Sequence, residues 1–504
     1  MKKLLSLLAA VGVMFALSSC GDDDDGGTPS LDAPVVTAPA AASVQVSTDA
    51  TVDFAYTAAA GFASAAVTPT GGTATITTDG TAGATSGTIT VTFSAGTTAG
   101  AGSVILTVTD TDGNTGNATA VLTITSEPVT PVVSVRGDID TNITWTAANI
   151  YQLDTRVTVL DGVTLTIEPG TVIKGNEGQG AAATALLVAK GGTLNAQGTA
   201  ALPIIFTSTL DPIEPSDIAA GNYASTTSET EDGLWGGVII LGNAPITGKI
   251  EDEDGNLIAD NLTELQIEGI PSSDENGLYG GSTADDNSGT ISYISIRHGG
   301  TNIGAGNEIN GLTLGAVGSA TTISNVEVVA NADDGIEFFG GNVSINGALV
   351  WNSFDDSMDS DQDWNGTVEN FIIVTPQTGS AFELDGPEGS NTRGVNHVFD
   401  EGVVYVGDNA DHIVDWDDDT NATLTNIYFF GVESGNIETF GGNGAGTNDG
   451  WETDLTAAGA FFDGVPGGSI DFNVAVGSKT VGPTAADFAW TWAGNSGALG
   501  TLGL

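Results

Sequence analysis

Hydrophobic residues along this chain recur in short bursts separated by turn residues, and the spacing of the bursts changes once. Between residues 31 and 127, runs such as ASVQV at 42–46, TVDFAY at 51–56, GTITVTF at 87–93 and SVILTV at 103–108 place apolar side chains at every second position. That is the period of a strand with one buried face. Asp110-Thr111-Asp112-Gly113-Asn114 separates SVILTV from ATAVLTIT at 118–125 and reads as a turn joining two strands. Short strands at this spacing predict a β-sandwich.

After Glu127-Pro128-Val129-Thr130-Pro131, a linker, the bursts fall at about 20–25-residue intervals with no helical period between them. Examples are GVTLTI at 162–167, TALLV at 184–188, PIIFT at 203–207, GVIIL at 237–241, TISYISIR at 290–297, TISNVEVV at 322–329, NVSINGALV at 342–350, TVENFIIV at 367–374, GVVYV at 402–406, ATLTNIYFF at 422–430 and SIDFNVAV at 469–476. One short coil per burst predicts a solenoid, and the period fits a parallel β-helix over 132–504. The fold class expected is all-β, a sandwich followed by a right-handed parallel β-helix. Asn325, Asn346, Asn370 and Asn426 stand at similar places in their strands. Stacked at a turn, they would form an amide ladder from coil to coil.

Charge narrows the functions. Ten Lys and Arg face 64 Asp and Glu, a formal net charge of −54. Such a surface repels phosphate backbones, so nucleic acid is excluded as a partner and anionic lipid headgroups are disfavoured. Hydrophobic residues are still 40% of the chain, which separates it from disordered acidic tails. The single cysteine, Cys20, allows no intrachain disulfide. His298, His397 and His412 are scattered, so a Cys/His zinc site is excluded.

The N-terminus supplies an address. Lys2 and Lys3 precede an apolar run from Leu4 to Leu17, too short for a stable span and fitted to a signal peptide. Leu17-Ser18-Ser19-Cys20 resembles the lipobox of bacterial lipoproteins, which implies cleavage after residue 19 and lipidation of Cys20. Asp22, Asp23, Asp24 and Asp25 follow, and an acidic run there resembles the surface-export signal of Bacteroidota lipoproteins. Residues 20–30 then form a flexible charged tether, and the implied location is the outer membrane, facing outward.

Three motifs carry a wider resemblance: Ile167-Glu168-Pro169-Gly170-Thr171-Val172-Ile173, Gly233-Leu234-Trp235-Gly236-Gly237 and Asp333-Asp334-Gly335-Ile336-Glu337-Phe338-Phe339-Gly340-Gly341. Over 132–504 the chain resembles a family of right-handed β-helix lipoproteins of Bacteroidota, some of them labelled multidrug transporters. The resemblance implies fold and envelope location and carries no chemistry with it. The 31–127 unit resembles bacterial Ig-like or cadherin-like modules, without a Cys–Trp–Cys core, and its expected role is a stalk.

Candidate chemistry gathers between 331 and 419. Aligning Gly335-Ile336-Glu337-Phe338, Ser357-Met358-Asp359-Ser360 and Ala381-Phe382-Glu383-Leu384 puts Ile336, Met358 and Phe382 inward and stacks Glu337, Asp359 and Glu383 outward on consecutive rungs. Asp333-Asp334 and Asp355-Asp356 repeat a doublet beside that column, and Asp415 to Asp419 offer a further rung. Stacked like charges destabilise a sheet unless something screens them. Ca²⁺ is the suitable cofactor, with Glu337, Asp355, Asp356, Asp359 and Glu383 as its ligands. The alternative is a solvated acidic face with raised carboxylate pKa values and loose counterions. Asp359 to Trp364 begins like an EF-hand loop, but Trp364 replaces the required glycine and Asn370 the closing glutamate, so that motif fails. Trp351, Trp364 and Trp416 near the acids suit sugar or cation binding, or equally the capping of a β-helix edge.

Three functions remain open. The first is a non-catalytic binding module with a glycan or cation ligand, accessory to a TonB-dependent outer-membrane transporter by analogy with Bacteroidota lipoproteins. The second is a polysaccharide-active enzyme centred on Asp334, Asp356, Asp359 and Glu383. Asp334 and Asp356 superficially resemble polygalacturonase aspartates, but neither a Gly-His-Gly nor an Arg-Ile-Lys element occurs, and Arg393 alone is basic near the acids. The third is an adhesin or structural surface protein.

Overall fold

The computed structural model describes residues 31–126, 129–252, 254–302, 309–375, 378–407, 412–416, 420–431, 438–440, 445–449, 452–453 and 479–504. Cys20 with the leader and tether, Asp417, Asp418 and Asp419, and the apolar run at 469–476 lie outside them. The chain divides into two compact units, Met1–Val129 and Thr130–Leu504.

Alternation builds the first unit. One four-stranded sheet has the order Val35–Thr37, Asp49–Thr57, Ser86–Ala95, Gly72–Thr78, and the other has Ala42–Gln45, Thr115–Thr125, Gly100–Asp110, Phe62–Thr70. Val52, Phe54, Ile89, Val91 and Phe93 from the first meet Val104, Leu106, Val108, Leu122 and Ile124 from the second in one buried cluster. Each such side chain contributes about 1.5–3 kcal/mol by leaving water. The turn after Asp110 is pinned by its carboxylate, whose Oδ1 accepts from the backbone N–H groups of Asp112 and Asn114 at 3.0 and 2.8 Å.

The second unit is a right-handed parallel β-helix. Its main sheet joins strands from Val132–Ile139 to Glu452–Thr453 in parallel, each pairing with the strand one coil later. Ile323 lies opposite Ile345, Ile345 opposite Val368, and His397 opposite Ala422. One strand per coil breaks at a left-handed residue: Tyr293, Asn325, Gly347, Asn370, Glu401 and Asn426 all have φ between 50° and 85°. Asparagine and glycine tolerate this conformation best. Asn346 is therefore a correction to the expected ladder, because Gly347 takes the bend and Asn346 lies one residue before it. Asn346 still joins in sideways, donating to Glu369 Oε2 at 3.0 Å and accepting from Asn370 at 3.4 Å.

Inward side chains of all three faces form one continuous core, from Leu165 and Ile167 through Ile336, Met358 and Phe382 to Val414 and Phe429. Two tryptophans belong to it. Trp364 is 1% exposed, stacks on Phe338 at 4.0 Å between ring centres and donates Nε1 to Val343 O at 3.0 Å. Trp416 is fully buried. Neither can meet a ligand at the surface, which corrects the expectation of binding aromatics at 364 and 416: they fill the lumen instead.

Insertions decorate the coils. Segment 242–287, with hairpin strands Gly248–Glu251 and Leu257–Leu262, lays Ile246, Ile267, Ile270 and Tyr279 against Leu241, Ala316 and Phe339 of the third face. The described C-terminal residues 479–504 leave the strand pattern and form the short helices Trp492–Asn495 and Ala498–Thr501, which pack on the second face, the rungs that follow the left-handed residue and carry Leu349, Ile372, Val403 and Tyr428.

Candidate cation site on the third face

The third face is built from Val238–Leu241, Leu312–Gly315, Ile336–Phe339, Met358–Asp361, Phe382–Leu384 and His412–Trp416. Parallel register makes Glu337 the neighbour of Asp359, Asp359 of Glu383, and Glu383 of Asp415. The column expected from the spacings is therefore present in the pairing. Its exposure differs from expectation. Glu337 and Asp359 point away from the lumen yet are each only 7% exposed, because segment 242–287 packs on this face. Glu383 is half-buried.

A second column flanks the first at the turn entering each strand. Asn310 Oδ1 accepts from Asp334 N at 3.2 Å, Asp334 Oδ1 accepts from Asp356 N at 2.9 Å, and Asp356 Oδ1 accepts from Ser380 N. Each side chain thus caps the backbone of the coil that follows, and this fixes Asp334 beside Glu337.

The two columns converge. One oxygen each of Asp334, Glu337 and Asp359 lie within 4.8 Å of one another, and so do those of Asp333, Asp334 and Asp355. Asp334 is common to both sets, which run from the buried interior to the exposed Asp355. Asn310 Nδ2 bridges Glu337 and Glu268, the latter carried in on segment 242–287. Asp359 Oδ1 is buried with no hydrogen-bond partner. No Lys, Arg or His forms an ion pair with Asp334, Glu337, Asp359 or Glu383 among the described residues. Arg393, the nearby base in sequence, gives Nη1 to the carbonyls of Pro245 and Asp363 at 2.8 and 2.9 Å.

Electrostatics follow from this burial. Loss of water, then repulsion from Asp359 and Asp356, pushes the Asp334 carboxyl well above the usual carboxylate range. Burial followed by neighbouring acids does the same to Glu337, Asp359 and Asp361. Glu383 is pushed up to about 10, by burial and then by its hydrogen bond to Asp356. Such groups need either protons or a hard cation. Carboxylate oxygens converging without a basic neighbour, one of them unpartnered, fit Ca²⁺.

Of the five residues expected as ligands, Glu337 and Asp359 share the inner set, Asp355 belongs to the outer one, Asp356 caps Ser380 and touches Glu383, and Glu383 extends the column. The residue joining the sets is Asp334, which the spacing places in a doublet beside the column and not among the five expected ligands. Asn310 stands 24 residues before Asp334, one coil back, and was discoverable from that offset. Glu268 carried no signal, since it arrives from an insertion. Trp351 lies on the second face beside Trp492, away from the acids in the strand order.

A family model described as a pectate-lyase like beta helix domain matches residues 137–221 and 222–438, and the chain belongs to that family. The solved structure of Yersinia enterocolitica family 28 exopolygalacturonase is similar at 11% identity, over 84% of this chain and 87% of that one, with a TM-score of 0.17. No curated protein matches the chain.

Proposed function

We propose that this β-helix is a non-catalytic binding module of the bacterial cell surface whose acidic column takes up Ca²⁺. The observation carrying the reading is the convergence of Asp334, Glu337 and Asp359, all buried, with Asp359 Oδ1 unpartnered and no base paired to them among the described residues. A cation there would tie segment 242–287 to the coils through the Glu268–Asn310–Glu337 bridge. The same burial disfavours the glycan-active alternative, because three of its four carboxylates, Asp334, Asp356 and Asp359, are over nine-tenths covered and only Glu383 is half-buried, which leaves a sugar ring no pair of carboxylates to reach. Location at the outer membrane, through lipid on Cys20, is supported by the lipobox and the acidic run behind it. Partnership with a TonB-dependent transporter is an extension of that address.

Protease shaving of intact Bacteroidota cells expressing the chain, with and without chelator, tests the reading. The wild type should be cell-bound and cleavable from outside, Cys20→Ser should be released, and chelator should speed cleavage within the β-helix. Protection from external protease would remove the surface assignment. Cleavage indifferent to chelator would remove the cation.

A further inference from the structure

We infer that a cavity on the second face, which shares no lining residue with the acidic column of the third face, binds a neutral sugar chain. The cavity measures about 640 Å³ and lies between the loop at 225–230, the rungs carrying Trp351, Val374 and Tyr405, and the C-terminal helices. That volume falls within the range of small-molecule sites.

Its wall is chemically selective. Five of the six loop residues, Ser225, Thr226, Thr227, Ser228 and Thr230, bear hydroxyls, and Ser496 and Thr501 add two more opposite. Trp351 and Tyr405, both half-buried, supply ring surface between them. The lining holds no Lys, Arg or His and one carboxylate, Glu229. In a chain of formal charge −54, a cavity so nearly free of charge is a local departure. Uronates and phosphates would meet no cation there. Ser225, Ser228, Ser496 and Thr501 already bond to Asp211, Thr230, Ala493 O and Ala498 O, and what they keep for a ligand is acceptor capacity. An acyl chain has no donor for it and would leave the buried Asn352 Oδ1 unpartnered, which is costly. A neutral pyranose matches both surfaces, because its C–H face stacks on aromatic rings while its hydroxyls exchange hydrogen bonds with Ser and Thr.

The walls are braced before any ligand arrives. Asn495 Oδ1 accepts from the N–H groups of Tyr223 and Ala224 at 3.0 and 3.3 Å, and its Nδ2 donates to Gly221 O at 3.0 Å. The loop and the C-terminal helices are thereby joined. Below them, Glu327 accepts from the N–H groups of Trp492 and Ala493, both at 3.0 Å, and Arg297 lies 5.2 Å from the Trp492 ring centre. Trp492 in turn meets Trp351 edge-on at 5.9 Å. Asn352, 2% exposed and part of the lining, donates to Glu229 O at 2.8 Å and keeps Oδ1 without a partner, a buried acceptor at the cavity wall. A rigid site of this kind loses little entropy on binding.

The inference uses no carboxylate of the third face, so its test is run both with Ca²⁺ and with chelator. Tryptophan fluorescence and calorimetry of the mature chain would follow titration with maltohexaose, cellohexaose, xylohexaose and mannohexaose, with polygalacturonate and a fatty acid as contrasts. At least one neutral chain should bind, Tyr405→Ala should weaken it about tenfold, and Ser496→Trp, on an exposed site, should abolish it by filling the space while melting is unchanged. If Tyr405→Ala does not fold, Ser496→Trp decides alone. Failure of every neutral chain at millimolar concentration, affinity unaltered in Ser496→Trp, or preference for polygalacturonate or the fatty acid would overturn the inference.

Discussion

Glu337 and Asp359 are direct neighbours on adjacent parallel strands, both turned away from the lumen and both buried. Two like charges in that relationship repel each other where water cannot screen them. Either protons or a cation must make the pair tolerable, and the consequences are measurable.

Removing one charge should stabilise the cation-free protein. Asp359→Asn keeps shape and hydrogen-bonding capacity toward Glu337 while ending the repulsion from Glu383 and the charge that Asp359 sets against Glu337. In chelator its unfolding free energy should exceed that of the wild type by about 1 kcal/mol. Denaturant titration checks this, and a less stable variant would mean that Asp359 is already compensated.

Acidity should act in two directions. The buried carboxyls have raised folded-state pKa values, so their stabilising protons are held at low pH and lost as pH rises, Glu383 losing its own near 10. His397 is the opposite case: burial lowers it to about 3, so its contribution is intact above its ordinary value of about 6.5 and fades as pH falls from there. In chelator the protein should melt lower at alkaline than at mildly acidic pH, and Ca²⁺ should erase the difference. His397→Gln should soften the decline on the acid side. Melting curves across pH decide both.

Core tryptophans should behave as packing, not as binding residues. Trp364→Ala removes a ring stacked on Phe338 and should cost about 3–5 kcal/mol. It should leave sugar affinity per folded molecule unchanged, and a selective loss of affinity without loss of stability would contradict its place in the lumen.

The left-handed bend sets a further test. Asn370 has φ 61°, so Asn370→Gly should be close to neutral, whereas the β-branched Asn370→Val should cost about 1–2 kcal/mol. Thermal melting of the two variants separates them, and equal stability would show that the bend is not selective.

Much of this was legible in the chain because a parallel β-helix repeats its register. The offset of 22 residues from Glu337 to Asp359, about one coil, becomes the observed pairing, and the sandwich alternation around Phe54 and Leu106 becomes a buried cluster. Local chemistry between coils was less visible. Asn346 and Gly347 are adjacent, and only backbone conformation decides which one takes the bend. Trp364 looked like a surface aromatic because acids surround it in sequence, yet the turn at Gln362 and Asp363, both with positive φ, folds it back over Phe338. Burial of the acids was not legible at all, since the segment covering them comes from residues 242–287, a full coil and more away in sequence. The sugar cavity needs Ser225 and Thr501 together, which no periodicity connects.

The most direct test of the acidic column is calorimetric titration of the mature chain with Ca²⁺, beside the Glu337→Gln/Asp359→Asn double variant. Saturable binding to the wild type, with proton release and a raised melting temperature, and neither in the folded double variant, is the expected result. No binding heat and no thermal shift in the wild type, or identical titrations of both proteins, would contradict it.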